Sequence, residues 1–186
     1  TCTYLANHIR DGTFDEVLTN PVISFVYVSA KHFTTGYFGT FLSSVGIMVF
    51  CFVKLGIRFT VVKALLLPLV IVSGGAIMAS LFLIASLPVF WLVQGDGLRD
   101  LLFGDMRMLS EYPISIFGKV VQVILTLVLP YAFISFYPAQ FFLSKNDFTI
   151  FHPALQFLSP VVAAVLFAGA YAFWNFGIRH YKSTGS

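Results

Sequence analysis

Four stretches of this chain, 32–53, 64–95, 120–144 and 148–178, contain no Asp, Glu, Lys or Arg. An α-helix rises about 1.5 Å per residue and needs about 20 apolar residues to cross a hydrocarbon layer of roughly 30 Å, so each window is long enough to span a bilayer. Only 11 basic and 8 acidic residues occur in 186, while 58% are hydrophobic, far from the roughly one-quarter charged residues of a soluble domain. Barrel strands would alternate apolar and polar side chains over about ten positions. Residues 64–93 are instead apolar almost throughout. The expected fold is therefore an all-α, polytopic transmembrane helical bundle with about four spans, placed at 33–53, 64–93, 120–136 and 160–178.

The second span exceeds one straight crossing. It carries Pro68, Gly74, Gly75 and Pro88, residues that kink helices or let backbones approach, so a tilted or broken helix is expected there. Trp91, Tyr112, Tyr131, Tyr137, Trp174 and Tyr181 fall near span ends, where amphipathic rings favour headgroup depth. Tyr137-Pro138 reads as a span exit, and Ser159-Pro160 as a cap followed by the proline that opens the last helix.

Four crossings put residues 1–31, the 94–119 loop and the C-terminal tail on one face. That face holds Arg10, Lys31, Arg99, Arg107, Lys119, Arg179 and Lys182; the other holds Lys54, Arg58, Lys63 and Lys145. The excess of basic residues, seven against four, favours the first face as cytoplasmic, with the cluster Lys54, Arg58 and Lys63 weighing the other way.

Two segments of that face have helical patterning. Thr13 can cap a helix whose third residue is Glu16, a capping-box spacing, and Asp15 suits the positive helix start. Phe14, Val17 and Leu18 then share one face, and Pro21 discourages continuation. This apolar stripe either lies on the bilayer interface or docks onto a partner. In 98–111, Leu98, Leu101, Leu102, Met106 and Leu109 gather on one arc with Arg99, Asp100, Arg107 and Glu111 mostly opposite, while Asp105 intrudes on the apolar side. An interfacial helix and a polar contact to a partner are both open here.

No proposed span has a charged residue in its middle, which disfavours a proton-coupled pump. His8, His32, His152 and His180 never stand at ligand spacing, and Cys2 with Cys51 forms no ligand or disulfide pattern, so no metal site is expected. Ser73, Ser80 and Ser86 lack an intramembrane base and are expected to bond to backbone, so no catalytic residue is assigned. There is no G-x-x-x-x-G-K-[ST] loop; the chain holds no cofactor of its own, and any ATP that drives it is bound by another polypeptide.

In chain order these features resemble the ABC-2 type of transporter permease. Residues 9–22, with Gly12, Phe14 beside Asp15, Leu18 and Pro21, are similar to the cytoplasmic segment after that family's second helix; Asn20 stands where members often have Arg. Tyr112-Pro113-Ile114-Ser115-Ile116-Phe117 resembles the entry to the fifth helix, and Leu129-Pro130-Tyr131-Ala132-Phe133 with the residues to Ala139 resembles the helix exit that follows. Residues 173–186, aromatic-rich and closed by Arg179, His180 and Lys182, are similar to the family's cytoplasmic terminus.

The resemblance implies six helices with both ends cytoplasmic, so that 1–186 is a single permease domain covering helices three to six, N-terminally truncated. Leu5 and Ile9, at helical spacing, read as the tail of an element already under way. It further implies an ATP-binding cassette exporter at the cell membrane, with a prokaryotic plasma membrane expected. Its partners would be ATPase subunits, a second permease, identical or related, and membrane lipid, with no nucleic acid. Arg10, Asp11, Gly12, Thr13, Phe14, Asp15, Glu16, Val17, Leu18 and Pro21 would form the coupling segment to the ATPase, with Arg99, Asp100, Asp105 and Arg107 as a second cytoplasmic contact. The cargo expected from uncharged spans is amphipathic or lipid-like. The alternatives are a non-transporting membrane anchor or assembly protein, which needs no ATPase, and a membrane-embedded enzyme, which needs a catalytic pair.

Overall fold

The structure, a computed structural model, describes residues 36–86, Met108, 111–145 and 150–180. Helices and turns account for these residues and no strand occurs among them, so the all-α expectation holds. Contacts divide the chain into two units between Phe59 and Thr60.

The first unit contains α1, Gly36–Lys54. Its polar side chains are satisfied locally: the Ser43 and Ser44 hydroxyls both donate to the Thr40 carbonyl, at 2.9 and 2.8 Å, which removes their cost in hydrocarbon. Gly56, at φ 61°, ends it. Its N–H donates to Val53 O while Ile57 N–H reaches back to Phe52 O, a Schellman closure that needs the left-handed residue glycine supplies.

The second unit opens with Thr60, whose hydroxyl accepts from Lys63 N–H at 3.4 Å and so caps α2, Val61–Ser86. At 26 residues α2 is about 39 Å long. Pro68 lies inside it without breaking it; of the two outcomes expected for this span, a break is not the one adopted through Ser86, and Pro88 lies outside the described residues. Ser73, Gly74, Ile77, Ser80 and Leu81 form its buried stripe. Leu65 and Val72 on the other side are 71% and 69% exposed, as a lipid-facing surface would be.

The third expected span, read as a crossing over 120–136, departs most from its expectation. It begins as α3, Lys119–Val123, and runs into a π-helical turn, Ile124–Val128. It stops at Leu129 and Pro130, turns through Tyr131–Phe133 as a 3-10 helix, and resumes as α4, Phe136–Leu143. The two arms are bent by 75°. Proline permits the break. It has no N–H to continue the ladder, and it drives the residue before it out of the helical region: Leu129 sits at φ −120°, ψ 85°. The Leu129 N–H is spent on Ile124 O at 2.7 Å, the wider bond that makes the preceding turn π-helical.

Last comes a 3-10 turn, Pro153–Phe157, and α5, Ser159–His180, which packs chiefly on α2 and buries Ala163, Ala170 and Trp174. Among the described residues, three helices are long and apolar enough to cross a membrane, or four if the bent pair counts as one span.

The aromatic belt needs correcting. Tyr131, Tyr137 and Trp174 are 1%, 2% and 2% exposed, packed against other parts of the protein rather than displayed on a lipid-facing surface. Tyr137-Pro138 does not mark a span exit either, since both residues lie in the first turn of α4. Trp91 and Tyr181 lie outside the described residues.

Candidate functional site

The break is where polar side chains converge. Ile77, Leu81, Ile114, Leu125, Ala132 and Ala163 pack with Tyr131, Phe133, Phe136 and Tyr137 into one apolar cluster around it. Crossing this cluster, the hydroxyls of Thr126 and Tyr137 share a hydrogen bond at 3.1 Å, either able to donate. One residue precedes the break and the other follows it, so the bond forms only while the arms are folded together. The Tyr137 ring is held by Phe133, at 4.9 Å between centroids, and by Phe136 at 5.4 Å.

A second fixing bond comes from the start of α5. Ser159 is wholly buried and its hydroxyl donates to the Phe133 carbonyl at 2.8 Å. Ser159, expected as the cap, is instead the first residue of α5, and its hydroxyl is spent on a neighbour: it satisfies a carbonyl that the irregular backbone at 131–134 leaves available. Gln122 acts similarly. Its amide donates to Phe117 O at 2.9 Å, and its carbonyl oxygen accepts from Ile150 N–H at 3.3 Å. Residue 150 is thus returned to the first turn of α3, so that 119–150 folds back on itself, whereas a simple crossing sets its two ends on opposite faces.

The far end of α4 is held by a cation. Ser144, at φ 53°, ends that helix, and the Lys63 ammonium donates to Phe142 O at 2.8 Å and to the Ser144 hydroxyl at 3.3 Å. It also lies 5.8 Å from the centroid of the Phe141 ring. A cation at the negative end of a helix dipole is favourable. Lys63 therefore has a structural reason to be basic, separate from the sidedness count in which it first figured. On α2, Gly74 approaches Ile134 while Lys63 reaches Phe142, so α4 runs back along the first half of α2.

Gln140 stands apart. Six buried polar side chains occur among the described residues: Ser73, Ser80, Gln122, Thr126, Gln140 and Ser159. Ser73 and Ser80 donate to the carbonyls of Leu69 and Ala76 four residues back, and Gln122, Thr126 and Ser159 are bonded as described. The Gln140 side-chain nitrogen alone lacks a partner.

None of the coupling residues expected at 10–18 and 21 lies within the described residues, and neither do Arg99, Asp100, Asp105 and Arg107. The break, its two ties and the Lys63 contact escaped a reading that scanned spans for charge. Pro130 in mid-window, and the amides Gln122 and Gln140 on either side of it, were the available signals.

A family profile described as ABC-2 family transporter protein matches residues 2–185, nearly the whole chain. The chain belongs to that family. No curated protein and no solved structure matches it. Membership makes the chain a membrane permease of an ABC transporter, a transport subunit that is not itself catalytic and that partners an ATP-binding subunit. The permease thus presents, among its described residues, a charge-free interior whose polar groups hold a broken helix in shape.

Proposed function

We propose that this permease pairs with a second, identical or related permease and with two ATPase subunits on separate chains to export an amphipathic or lipid-like molecule from the cell. The observation that carries the reading is the interior: charges stand only at the ends of the described spans, and the polar side chains buried between them are hydroxyls and amides. An ion would need fixed charges or a ring of carbonyls along its path. A molecule with a long apolar part needs apolar walls and a few neutral hydrogen-bonding groups instead.

Force from ATP turnover would enter through residues 10–21. A helix capped by Thr13 would be a short rigid rod, its apolar stripe of Phe14, Val17 and Leu18 would suit a groove on the ATPase, and Arg10, Asp15 and Glu16 would suit the rim of that groove. Arg99, Asp100, Asp105 and Arg107 would supply a second contact, and a prokaryotic plasma membrane is the setting proposed. The test replaces Phe14 and Leu18 by Asp and measures co-purification of the ATPase and its stimulation by the permease. Two buried apolar anchors turned into acids should weaken association at least a hundredfold. Unchanged binding and stimulation would refute the coupling role.

A further inference from the structure

Lys63 is an ammonium held by neutral acceptors. Its two hydrogen bonds go to a main-chain carbonyl and a serine hydroxyl, and the only acidic residue among those described, Glu111, makes no ion pair with it. It is the third residue of an apolar helix that qualifies as a span from Val61, which sets its charge at headgroup depth, where long basic side chains extend toward lipid phosphates. Lys145, adjacent to Ser144, brings a second cation to the same end, and Lys54 and Arg58 precede by a short connection in the sequence. A phosphate is a stronger acceptor for an ammonium than a carbonyl or hydroxyl, because both partners are then charged.

What Lys63 holds is the tip of α4. The base of that helix is anchored by Phe136 and Tyr137 in the apolar cluster and by the Thr126 bond. The tip is held by Lys63 and by the Phe141 ring against Phe157, at 5.1 Å. Two residues before Phe142 on the same helix is Gln140, 7% exposed, with its side-chain nitrogen unpartnered. A buried donor without an acceptor favours opening, because opening restores a hydrogen bond to it.

We propose that Lys63 is an anion-responsive latch: a phosphate-bearing headgroup takes its ammonium from Phe142 and Ser144, the tip of α4 opens, and the Gln140 amide becomes accessible. The closed tip is thereby coupled to the anionic lipid content of the leaflet at that end of α2. This inference needs no ATPase and stands apart from the transport reading.

The test uses the full chain in vesicles, with Cys2 and Cys51 replaced by Ser and Gln140→Cys as the single thiol, labelled with N-ethylmaleimide. Loss of a charge-assisted hydrogen bond shifts a closed–open equilibrium by roughly ten- to a hundredfold, and labelling of a buried thiol follows the open population. Replacing part of the phosphatidylcholine with phosphatidylglycerol should raise the rate about tenfold. Lys63→Met should label fast in phosphatidylcholine and gain nothing from phosphatidylglycerol, and Lys63→Arg should keep the response. A rise with phosphatidylglycerol alone assigns the phosphate to lipid; a rise with inorganic phosphate in phosphatidylcholine vesicles as well assigns it to phosphate from either source. Exchange of the Ser144 and Lys145 amide hydrogens, bonded to the Phe141 and Gln140 carbonyls, gives the same reading on the unsubstituted chain. Labelling and exchange that respond neither to either anion nor to Lys63→Met overturn the latch.

Discussion

Gly74 and Gly75 are neighbours on α2 with opposite surroundings, and the contrast isolates how tightly the broken helix sits on α2. A β-carbon at Gly74 would lie 3.4 Å from both the Cγ2 and the carbonyl oxygen of Ile134, and 3.7 Å from its Cα; at Gly75 nothing stands within 4 Å. Both positions are mid-helix, so glycine costs each about 1 kcal/mol against alanine, and that gain cancels when the two are compared. Alanine at 74 meets backbone at the tight edge of van der Waals contact and should fall short of alanine at 75 by a fraction of that gain. Leucine at 74 must displace the 131–134 turn, an overpacking cost of about 1–3 kcal/mol, while leucine at 75 meets open space. The assay is unfolding of the purified permease in mixed micelles with rising SDS, followed by circular dichroism. Gly74→Leu should unfold at distinctly lower SDS than Gly75→Leu. Equal midpoints, or a lower one for Gly75→Leu, would refute the close approach of α2 and the turn.

Two further outcomes follow from the break. In a double-mutant cycle of Thr126→Val and Tyr137→Phe, the same unfolding assay should return a coupling of about 0.5–1.5 kcal/mol, and none if the two hydroxyls do not meet. Single cysteines replacing Lys119 and Ile150, in a background without Cys2 and Cys51, should react with a membrane-impermeant maleimide added from the same side of sealed vesicles, because Gln122 draws the two ends of that segment together; reaction from opposite sides would show that the segment crosses instead of folding back.

The class of the molecule was legible because it rests on summed quantities. A window of 20 or more uncharged residues leaves few alternatives to a spanning helix, and helix α1 at Gly36–Lys54 lies within a residue or a few of the span read at 33–53. The start of α2 was harder, since Thr60 adds three residues before Ala64 by capping, a local bond that hydropathy does not register. The break was hardest to foresee. Pro68 and Pro130 look alike in sequence, each a proline in an apolar window, yet α2 passes through the first and the chain stops at the second. What separates them is tertiary. Around Pro130 a hydroxyl pair, a serine from another helix and the carbonyl oxygen of Gln122 find these partners only in the bent form. Tyr137 was misplaced for a related reason: a ring that prefers headgroup depth when free moves inward when its hydroxyl finds an interior partner.

These partners also say why the bend is a specified state and not a consequence of proline alone. Replacing Pro130 would return one N–H to the ladder, a gain of about 0.5–1.5 kcal/mol of hydrogen bonding plus relief of ring strain. Straightening the arms would then part Thr126 from Tyr137 and pull the Phe133 carbonyl from Ser159. It would also carry Phe142 away from Lys63. The first two losses each leave polar groups in an apolar cluster, where an unmade bond costs about 1–3 kcal/mol, and no water is at hand in hydrocarbon to repair it. Two such losses outweigh one recovered bond. The bent geometry should therefore survive loss of the proline, while stability falls most when the ties are cut one by one, because proline permits the turn and the hydroxyls, amide and ammonium around it select it.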